Sequence, residues 1–288
     1  MRICRICRTP ASMNAACRDL RKGGRTLGLV PTMGALHEGH MSLVTAAKTD
    51  CDAVAVSIFV NPAQFSPNED YAAYPRTFEE DCRKLEQAGV DLVFAPAAEE
   101  MWPVVNTTFV EPGEIATRLD GASRPGHFRG VATIVARLFN IVQPDRAYFG
   151  QKDAAQIAVL RHIVRDLNFS VHLIVCPIVR EPDGLAMSSR NRYLSTPQRE
   201  RALVLHQALA AAEKLATSGE LSAEVIRHRL QTSLAAASDV RPDYVAVVDP
   251  DTLLPVQDVS AGALVAVAAW VGTTRLIDNL VLPPRTKA

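Results

Sequence analysis

The sequence has no hydrophobic run long enough to cross a membrane and no excess of charge of either sign. A transmembrane helix needs about 20 consecutive apolar residues, whereas the apolar run at residues 263–272, ALVAVAAWVG, has the length of a strand. Lys and Arg number 31, as do Asp and Glu, so a large electrostatic surface for nucleic acid is not expected. We therefore predict small-molecule ligands and neither a membrane nor a nucleic-acid partner.

Paired cysteines are also scarce. The six cysteines include one CxxC pair, Cys4 and Cys7, whereas a zinc ribbon needs two such pairs. Reduced thiols in a cytoplasmic protein are the favoured interpretation. The Arg-rich opening of the chain would suit a transit peptide, but it fits better a short strand containing Ile3 and Ile6, followed by a helix that ends at residues 23–24.

Three common motifs of ligand sites are missing. The sequence contains no G-x-x-x-x-G-K-[ST] phosphate loop, no G-x-G-x-x-G dinucleotide fingerprint and no G-x-S-x-G nucleophile elbow. Internal repeats and low-complexity tracts are absent as well. A P-loop ATPase and a typical dinucleotide-binding protein are therefore not indicated.

Apolar runs and helical patterns alternate over the first two thirds of the chain. Short runs rich in β-branched residues predict buried strands at residues 26–30, 53–60, 90–95, 146–150 and 170–179. Helical periodicity lies between them: a capping-box pattern from Thr77 to Glu80 with Gly89 at the helix end, an apolar face over 131–142, and a helix over 154–167. This order predicts a parallel sheet with helices on both faces and ligands at the loops that follow the strands.

The pattern changes after about residue 185. A helix begins near Ser195 or Thr196, a second follows, and three apolar runs occupy residues 243–249, 263–271 and 274–282, with Gly272-Thr273 as a tight turn between the last two. We therefore predict an α/β protein in which residues 1–184 form a Rossmann-like parallel-sheet domain. Residues 185–288 are predicted to form a smaller α+β domain.

The segment PTMGALHEGH, residues 31–40, connects the strand at 26–30 to a helix. Amides at a helix N-terminus suit a phosphate, and Gly34 and Gly39 allow close approach of the backbone. His37 and His40 lie one helical turn apart and can face the same ligand. Two alternatives stay open: a zinc site, for which no third ligand stands out, and histidines that only complete a turn, which leaves the glycines unexplained.

Two more polar segments follow predicted strands. Asn61 and Gln64, in SIFVNPAQF, are neutral amides that suit a hydroxy acid or an amide, although an Asn-Pro pair is often only a turn. Lys152, in YFGQKDAAQ, follows Gly150 at a helix start and is placed to neutralise a phosphate. A solvated lysine is the alternative there.

The fourth segment is REPDGLAMSSRNRYLS, residues 180–195. It offers two hydroxyl groups and a guanidinium for anionic oxygens, from Ser188, Ser189 and Arg190. Together the four segments indicate nucleotide phosphates, because reaction at phosphorus needs charge neutralisation and alignment more than a nucleophilic side chain.

The chain resembles the pantothenate synthetase family, the pantoate:β-alanine ligases, which are HxGH-type nucleotidylyltransferases related to class I aminoacyl-tRNA synthetases. The resemblance rests on VPTMGALHEGH, VSIFVNPAQF, DYAAYPRTFEED, GHFRGVATIVARLFNIVQPDRAYFGQKD and DGLAMSSRNRYLS in the family's order and spacing. It implies a two-step reaction in which pantoate attacks the α-phosphate of ATP, with Mg²⁺ present, and β-alanine then attacks the pantoyl adenylate to give pantothenate and AMP.

The resemblance also assigns residues to roles. It implies that ATP is bound by Met33, Gly34, Ala35, Leu36, His37, Glu38, Gly39, His40, Gly150, Gln151, Lys152, Asp153, Val179, Met187, Ser188, Ser189 and Arg190. His40 takes the position of the proton donor and His37 lies beside the phosphates. Lys152 would hold phosphate oxygens together with the two serines, and Val179 would contact the adenine.

Substrate contacts are implied in the same way. Gln64 matches the residue that contacts pantoate and β-alanine, with Asn61 close by, and Gln156 matches a second pantoate contact. The chain departs from the family at Ala154 and Ala155, where an aromatic residue and Gln are usual, which puts pocket packing near pantoate in question.

The resemblance further implies a cytoplasmic homodimer whose C-terminal domain closes over the site as a lid. Glu80 and Asp81 lie where the family has carboxylates near the metal, but the sequence assigns no Mg²⁺ ligand. Two rival functions stay open: a nucleotidylyltransferase for another acid or phosphate, and a nucleotide-binding module without turnover.

Overall fold

The computed structural model describes residues 4–67 and 69–285. The chain clusters into two compact units. The first unit takes in the chain up to Gly150 together with Val159–Pro177, and the second takes in Gln151–Ala158 and the chain from Ile178 onward. Ile3, which belongs to the predicted N-terminal strand, lies outside the described residues.

The first unit is built on a six-stranded parallel sheet. Its strands are β1 (Arg5–Cys7), β2 (Leu27–Thr32), β3 (Ala53–Ile58), β4 (Leu92–Phe94), β5 (Arg146–Gly150) and β6 (His172–Cys176), in the order β1-β4-β3-β2-β5-β6. The helices along this part of the chain are α1 (Pro10–Leu20), α2 (Glu38–Asp50), α3 (Phe78–Gln87), α4 (Ala98–Met101), α5 (Asp120–Ser123), α6 (His127–Val142) and α7 (Ala154–Asp166). Strands β2 and β3 are almost wholly buried, as expected for strands covered on both faces. The predicted parallel α/β sheet is confirmed.

The order of the strands locates the ligand edge of this sheet. From β2 the chain moves to β3 and β4 on one side, and it later crosses to β5 and β6 on the other. The direction of winding therefore reverses between β2 and β5, and in open α/β sheets ligands bind outside the carboxyl ends of strands at such a reversal. Strand β2 ends at Thr32, immediately before the histidine segment.

The second unit contains an antiparallel sheet and two long helices. Helices α8 (Thr196–Thr217) and α9 (Ala223–Ala235) precede strands β7 (Val240–Val248), β8 (Ala263–Val271) and β9 (Thr274–Leu282), which lie in the order β7-β8-β9. The apolar side chains of α8, α9 and the sheet form one buried cluster. The predicted two-residue turn at Gly272-Thr273 is confirmed, since Val271 pairs with Thr274.

Some local predictions need correction. Helix α1 ends at Leu20, before the two glycines, and α6 begins at His127, four residues earlier than its apolar face suggested. Thr77 is the N-cap of α3, but its side chain makes no capping hydrogen bond, so the prediction of a capping box is wrong. Within the described ranges, no helix is both long and apolar enough to span a bilayer.

Candidate active site

The loop between β2 and α2 has two left-handed residues in succession. Gly34 has φ +81° and Ala35 has φ +51°. A Cβ on Gly34 would lie 3.0 Å from both the Asp81 Oδ2 and the Ile58 Cγ2 atoms, so both conformation and space favour glycine there. Ala35 keeps a conformation that is costly for a residue with a side chain, which means that other contacts must hold the loop.

Helix α3 supplies those contacts. The Asp81 carboxylate, 1% exposed, accepts hydrogen bonds from the amides of Ala35 (2.9 Å) and Leu36 (2.8 Å), and a third from the Thr77 hydroxyl (3.2 Å). One turn further along α3, the Lys84 ammonium donates to the Leu36 carbonyl at 2.7 Å. A carboxylate and an ammonium on one helix thus hold the amide and carbonyl groups of the histidine loop.

The two histidines bond to the first turn of their own helix. His37 is the N-cap of α2, and its Nδ1 accepts the Gly39 amide at 3.2 Å, while the His40 Nδ1 accepts the His37 amide at 3.4 Å. Their ring centroids are 4.1 Å apart. Two amides that the sequence suggested for a phosphate therefore bond to imidazole nitrogens. Because each Nδ1 accepts, the proton of each neutral ring lies on Nε2.

Asn61 fixes the orientation of Gln64. Asn61 is 1% exposed, and its Oδ1 accepts from the Trp102 indole (2.9 Å) and the Ala63 amide (3.3 Å). Its Nδ2 donates to the Gln64 Oε1 (3.0 Å) and to the Gly130 carbonyl (3.1 Å). Asn61 caps a 3-10 turn formed by Pro62–Gln64. A Cβ at Gly130 would lie 2.1 Å from the Ala63 carbonyl oxygen, so the approach of α6 to this turn requires glycine.

Gln64 is also held through its backbone. The His127 Nδ1 bonds to the Gln64 carbonyl at 2.8 Å, and an Arg124 nitrogen donates to the same oxygen at 3.1 Å. The Gln64 Oε1 accepts a hydrogen bond from Asn61, and the Gln64 Nε2 donates to the Met33 Sδ at 3.1 Å. The structure therefore brings Met33 of the histidine loop and the predicted substrate residue Gln64 into contact.

The electrostatics of this cluster keep His127 neutral. His127 is 9% exposed, and burial lowers its pKa to about 4, with the Arg124 charge acting in the same direction. Arg124 forms a two-point ion pair with Glu69, at 2.7 and 2.6 Å. Burial alone would raise the pKa of Glu69, but the hydrogen bonds and charge of Arg124 outweigh it and the pKa is lowered.

In the second unit, Lys152 lies on a 3-10 turn formed by Gln151–Asp153. Its side chain is 22% exposed, and its ammonium is 3.4 Å from the Asp153 Oδ1. An ion pair of this length at a partly exposed position contributes little to stability, so the Lys152 ammonium is held only weakly by Asp153.

The residues after this turn begin α7. Ala154 and Ala155 are 8% and 3% exposed, and Gln156 is partly buried. The two alanines at which the resemblance implies a departure are therefore interior residues, so a change of size at either would be felt as packing.

A second turn pairs two of the predicted ATP residues. The Met187 amide donates to the Val179 carbonyl at 2.9 Å, so the Pro-Asp-Gly sequence between them closes a hairpin-like turn. Ser188 then caps a 3-10 turn, Ser189–Tyr193, by accepting the Arg190 amide at 3.3 Å. Val179 and the 187–190 segment are thus neighbours.

The donor sets do not fit a Mg²⁺ site made by the protein alone. Over residues 4–67 and 69–285, no three His, Cys, Asp or Glu side chains cluster so that they could hold a metal ion. Both oxygens of Asp81 accept loop amides, and Glu80 pairs with Lys84 at 2.8 Å. The two carboxylates that match the family's positions therefore have other partners.

Sequence reasoning did not identify four residues that support the site: Lys84, Trp102, Arg124 and His127. Each acts on a backbone or side-chain group distant in the chain, which periodicity cannot show. The one available signal was the family segment GHFRG, which contains His127.

A parallel sheet whose strand order reverses is typical of nucleotide-binding α/β proteins, and in this chain the helix after β2 begins within the His-x-Gly-His segment. A family model described as Pantoate-beta-alanine ligase matches residues 5–281. The chain belongs to the pantoate–β-alanine ligase family, which confirms the resemblance seen in the sequence.

Known relatives agree with this assignment. The chain is 59% identical to a pantothenate synthetase of Acidobacterium capsulatum over 285 residues, 95% of each chain. A pantothenate synthetase structure from Thermus thermophilus gives a TM-score of 0.91 at 48% identity, over 97% of this chain and all of that one. The Francisella tularensis pantoate-beta-alanine ligase, complexed with beta-gamma ATP and beta-alanine, gives 0.79 at 34% identity, over 96% and 97%.

Replacing Asp81 tests the loop contacts. In Asp81→Asn, one amide of the loop faces an NH₂ group instead of an oxygen, and leaving a buried amide unpaired costs about 1–3 kcal/mol. We expect kcat/KM for ATP to fall by roughly 10- to 100-fold, with the Mg²⁺ dependence of the rate unchanged. A shifted Mg²⁺ requirement would instead make Asp81 a metal ligand.

Glu80→Gln is the matched control on the same helix. The Glu80 side chain is 52% exposed in its ion pair with Lys84, and such pairs contribute at most about 1 kcal/mol. We expect kcat/KM within about twofold of the unsubstituted chain. Equal losses in both variants would contradict the role given to Asp81.

The neutral state of His127 predicts a pH-dependent stability. Its pKa is 6.5 when unperturbed and about 4 in the fold, so between these values the unfolded chain binds the extra proton. The contribution of neutral His127 to the free energy of unfolding is therefore complete above pH 6.5. It is lost as the pH falls towards 4, at about 1.4 kcal/mol per pH unit. Urea unfolding of the chain and of His127→Gln should show the difference between them shrink by about 2 kcal/mol from pH 7 to pH 5.

The charged groups around His127 are present in both proteins. Arg124, Glu69 and Asp120 act on its titration, and their own protonation largely cancels in the difference. A difference that does not change with pH would show that folding leaves the pKa of His127 at its unperturbed value.

Proposed function

We propose that this chain is an ATP-dependent ligase that condenses pantoate with β-alanine to form pantothenate, AMP and pyrophosphate. The observation that carries the proposal is the match to the pantoate–β-alanine ligase family over residues 5–281. The F. tularensis relative complexed with beta-gamma ATP and beta-alanine supports ATP and β-alanine as ligands.

The reaction has two substitutions. An oxygen of the pantoate carboxylate forms a bond to the α-phosphorus of ATP, and the bond to the bridging oxygen of pyrophosphate breaks. The β-alanine amine then attacks the carbonyl carbon of the pantoyl adenylate, its proton is removed, and AMP leaves with the electron pair of the C–O bond. Both steps build charge on phosphate or carbonyl oxygens, which positioned donors stabilise.

The first unit supplies neutral donors for this chemistry. The Nδ1 atoms of both histidines accept amides; we propose that His37 and His40 contact phosphate oxygens through Nε2 and that His40 is the proton donor. Gln64 presents its Nε2 to pantoate and β-alanine because Asn61 binds its Oε1. Gln156 is the second proposed pantoate contact.

The second unit supplies cations and hydroxyls. We propose that Lys152, Ser188 and Ser189 hold phosphate oxygens, that Arg190 adds a guanidinium, and that Val179 contacts the adenine. Mg²⁺ would enter with ATP, whose phosphates are its usual ligands.

The division into residues 1–184 and 185–288 remains a proposal that comes from the change of sequence pattern near residue 185. The closing of the C-terminal domain over the site as a lid and the cytoplasmic homodimer are proposed from the resemblance. Val104 and Val105 are fully to largely exposed, at 102% and 82%, and an apolar segment of this kind is available for a subunit contact. Sedimentation at twice the 31.2 kDa chain mass is expected; a monomer at micromolar concentration would contradict the dimer.

The reaction is tested by its products. Incubation with ATP, Mg²⁺, pantoate and β-alanine should give AMP and pantothenate, and omission of β-alanine should prevent sustained AMP release. No AMP at saturating substrates would refute the ligase. Pyrophosphate release with another acid in place of pantoate would favour the nucleotidylyltransferase, and ATP binding without any product would favour the binding module.

His40 is tested with a variant that keeps its capping contact. In His40→Asn, the side-chain oxygen can replace Nδ1 as acceptor for the His37 amide, but no atom replaces Nε2. We expect adenylation to slow by roughly 10²- to 10⁴-fold, with unchanged thermal unfolding. Unaltered turnover in this variant would remove His40 from the mechanism.

A further inference from the structure

Two adjacent polar residues lie in the most buried part of β9. Asp278 and Asn279 are each 3% exposed, and they pair with Val267 and Ala266 of β8, which is apolar and buried over almost its whole length. Polar groups are costly at such positions unless they are fully hydrogen-bonded. Their partners therefore indicate why they are there.

Asn279 bonds to the turn that carries Lys152. Its Nδ2 donates to the backbone carbonyls of Gln151 and Lys152, at 3.0 Å each, and its Oδ1 accepts from the Gln151 Nε2 at 3.0 Å. The two carbonyls can only accept, so the orientation of the Asn279 amide is unambiguous. One buried side chain thus makes two hydrogen bonds to the backbone of the turn that carries Lys152 and a third to the Gln151 side chain.

Asp278 holds the turn between Val179 and Met187 in the same manner. The Arg180 guanidinium makes a two-point contact with the Asp278 carboxylate, at 2.7 and 3.0 Å, and donates to the Gly184 carbonyl at 3.1 Å. The geometry of such a fork restricts both position and rotation of the arginine. Strand β9 is therefore linked to both turns.

We propose that Asn279 and Asp278 are positioning residues that align two ATP-binding segments, with Asn279 setting the place of the Lys152 ammonium. The inference rests on the proposed function, because it takes Gln151–Asp153 and the Val179–Met187 turn as parts of an ATP site. Neither residue needs to touch the nucleotide. The Lys152 side chain is long and flexible. If the backbone of the turn is displaced, the side chain extends from a different point and the contact of its ammonium with phosphate weakens.

The central experiment is a double-mutant cycle between positions 279 and 152. Asn279→Asp keeps the shape of the side chain but removes both donors to the carbonyls, and it should lower kcat/KM for ATP by about 30- to 100-fold while KM for pantoate stays within about threefold. In a Lys152→Ala background the same change should cost less than about threefold, because the group that it positions is absent.

A purely structural role predicts another pattern. The loss caused by Asn279→Asp would then be the same with and without Lys152, and that result would overturn the proposal. The control is Asp243→Asn, which breaks the partly buried ion pair of Asp243 with Arg275 of β9 at 2.8 Å. It should lower the unfolding temperature and leave kcat/KM for ATP within twofold. If Asn279→Asp does not fold, Asn279→Ser takes its place with the same thresholds.

Binding of the non-hydrolysable analogue α,β-methylene-ATP separates this inference from the proposed function. Calorimetry should show at least tenfold weaker binding to Asn279→Asp than to the unsubstituted chain. That result supports the positioning role even if the unsubstituted chain forms no AMP from pantoate. Normal AMP formation together with unchanged binding and kinetics in the variant would leave the ligase in place and refute the role of Asn279.

Discussion

The geometry of the first unit's site depends on the Asp81 carboxylate. Gly34 and Ala35 lead the chain out of β2 in left-handed conformations, and the amides of Ala35 and Leu36 then bond to the two oxygens of this one side chain. Each buried amide would cost about 1–3 kcal/mol without its acceptor. Because α2 begins two residues later, the direction of its first turn, and with it both histidine rings, follows from this contact.

Within each unit, other predicted ligand segments are held by buried side chains in a similar way. The Gln64 carbonyl is held by His127, and the carbonyls of Gln151 and Lys152 are held by Asn279. Loop backbone lacks the regular partners that helices and sheets provide, so its polar groups need other ones. In each of these loops a buried polar side chain from a neighbouring element supplies them.

The holding of loop backbone by distant buried side chains also explains which features could be predicted from the sequence. Strand β5 and the Gly272-Thr273 turn were predicted to the residue, because apolar runs and turn residues are local signals. The partners of Asp81, His127 and Asn279 lie 46, 63 and 128 residues away in the chain, and a single sequence carries no trace of such pairs. Thr77 shows the competition directly: the local pattern predicted a capping bond, but its hydroxyl bonds to Asp81.

The distribution of charge between the two units follows from the same residues. The proposed ATP-binding positions of the first unit, Met33–His40 and Gly150, include no Lys or Arg, whereas those proposed in the second include Lys152 and Arg190. Neutral imidazole and amide donors define directions through fixed hydrogen bonds, and the cations offset charge on the phosphates. Reaction at phosphorus needs both alignment and neutralisation. Gln64 is held by Asn61, Arg124 and His127. Such anchoring is expected for an uncharged donor, because the strength of its hydrogen bond to a substrate depends on its direction.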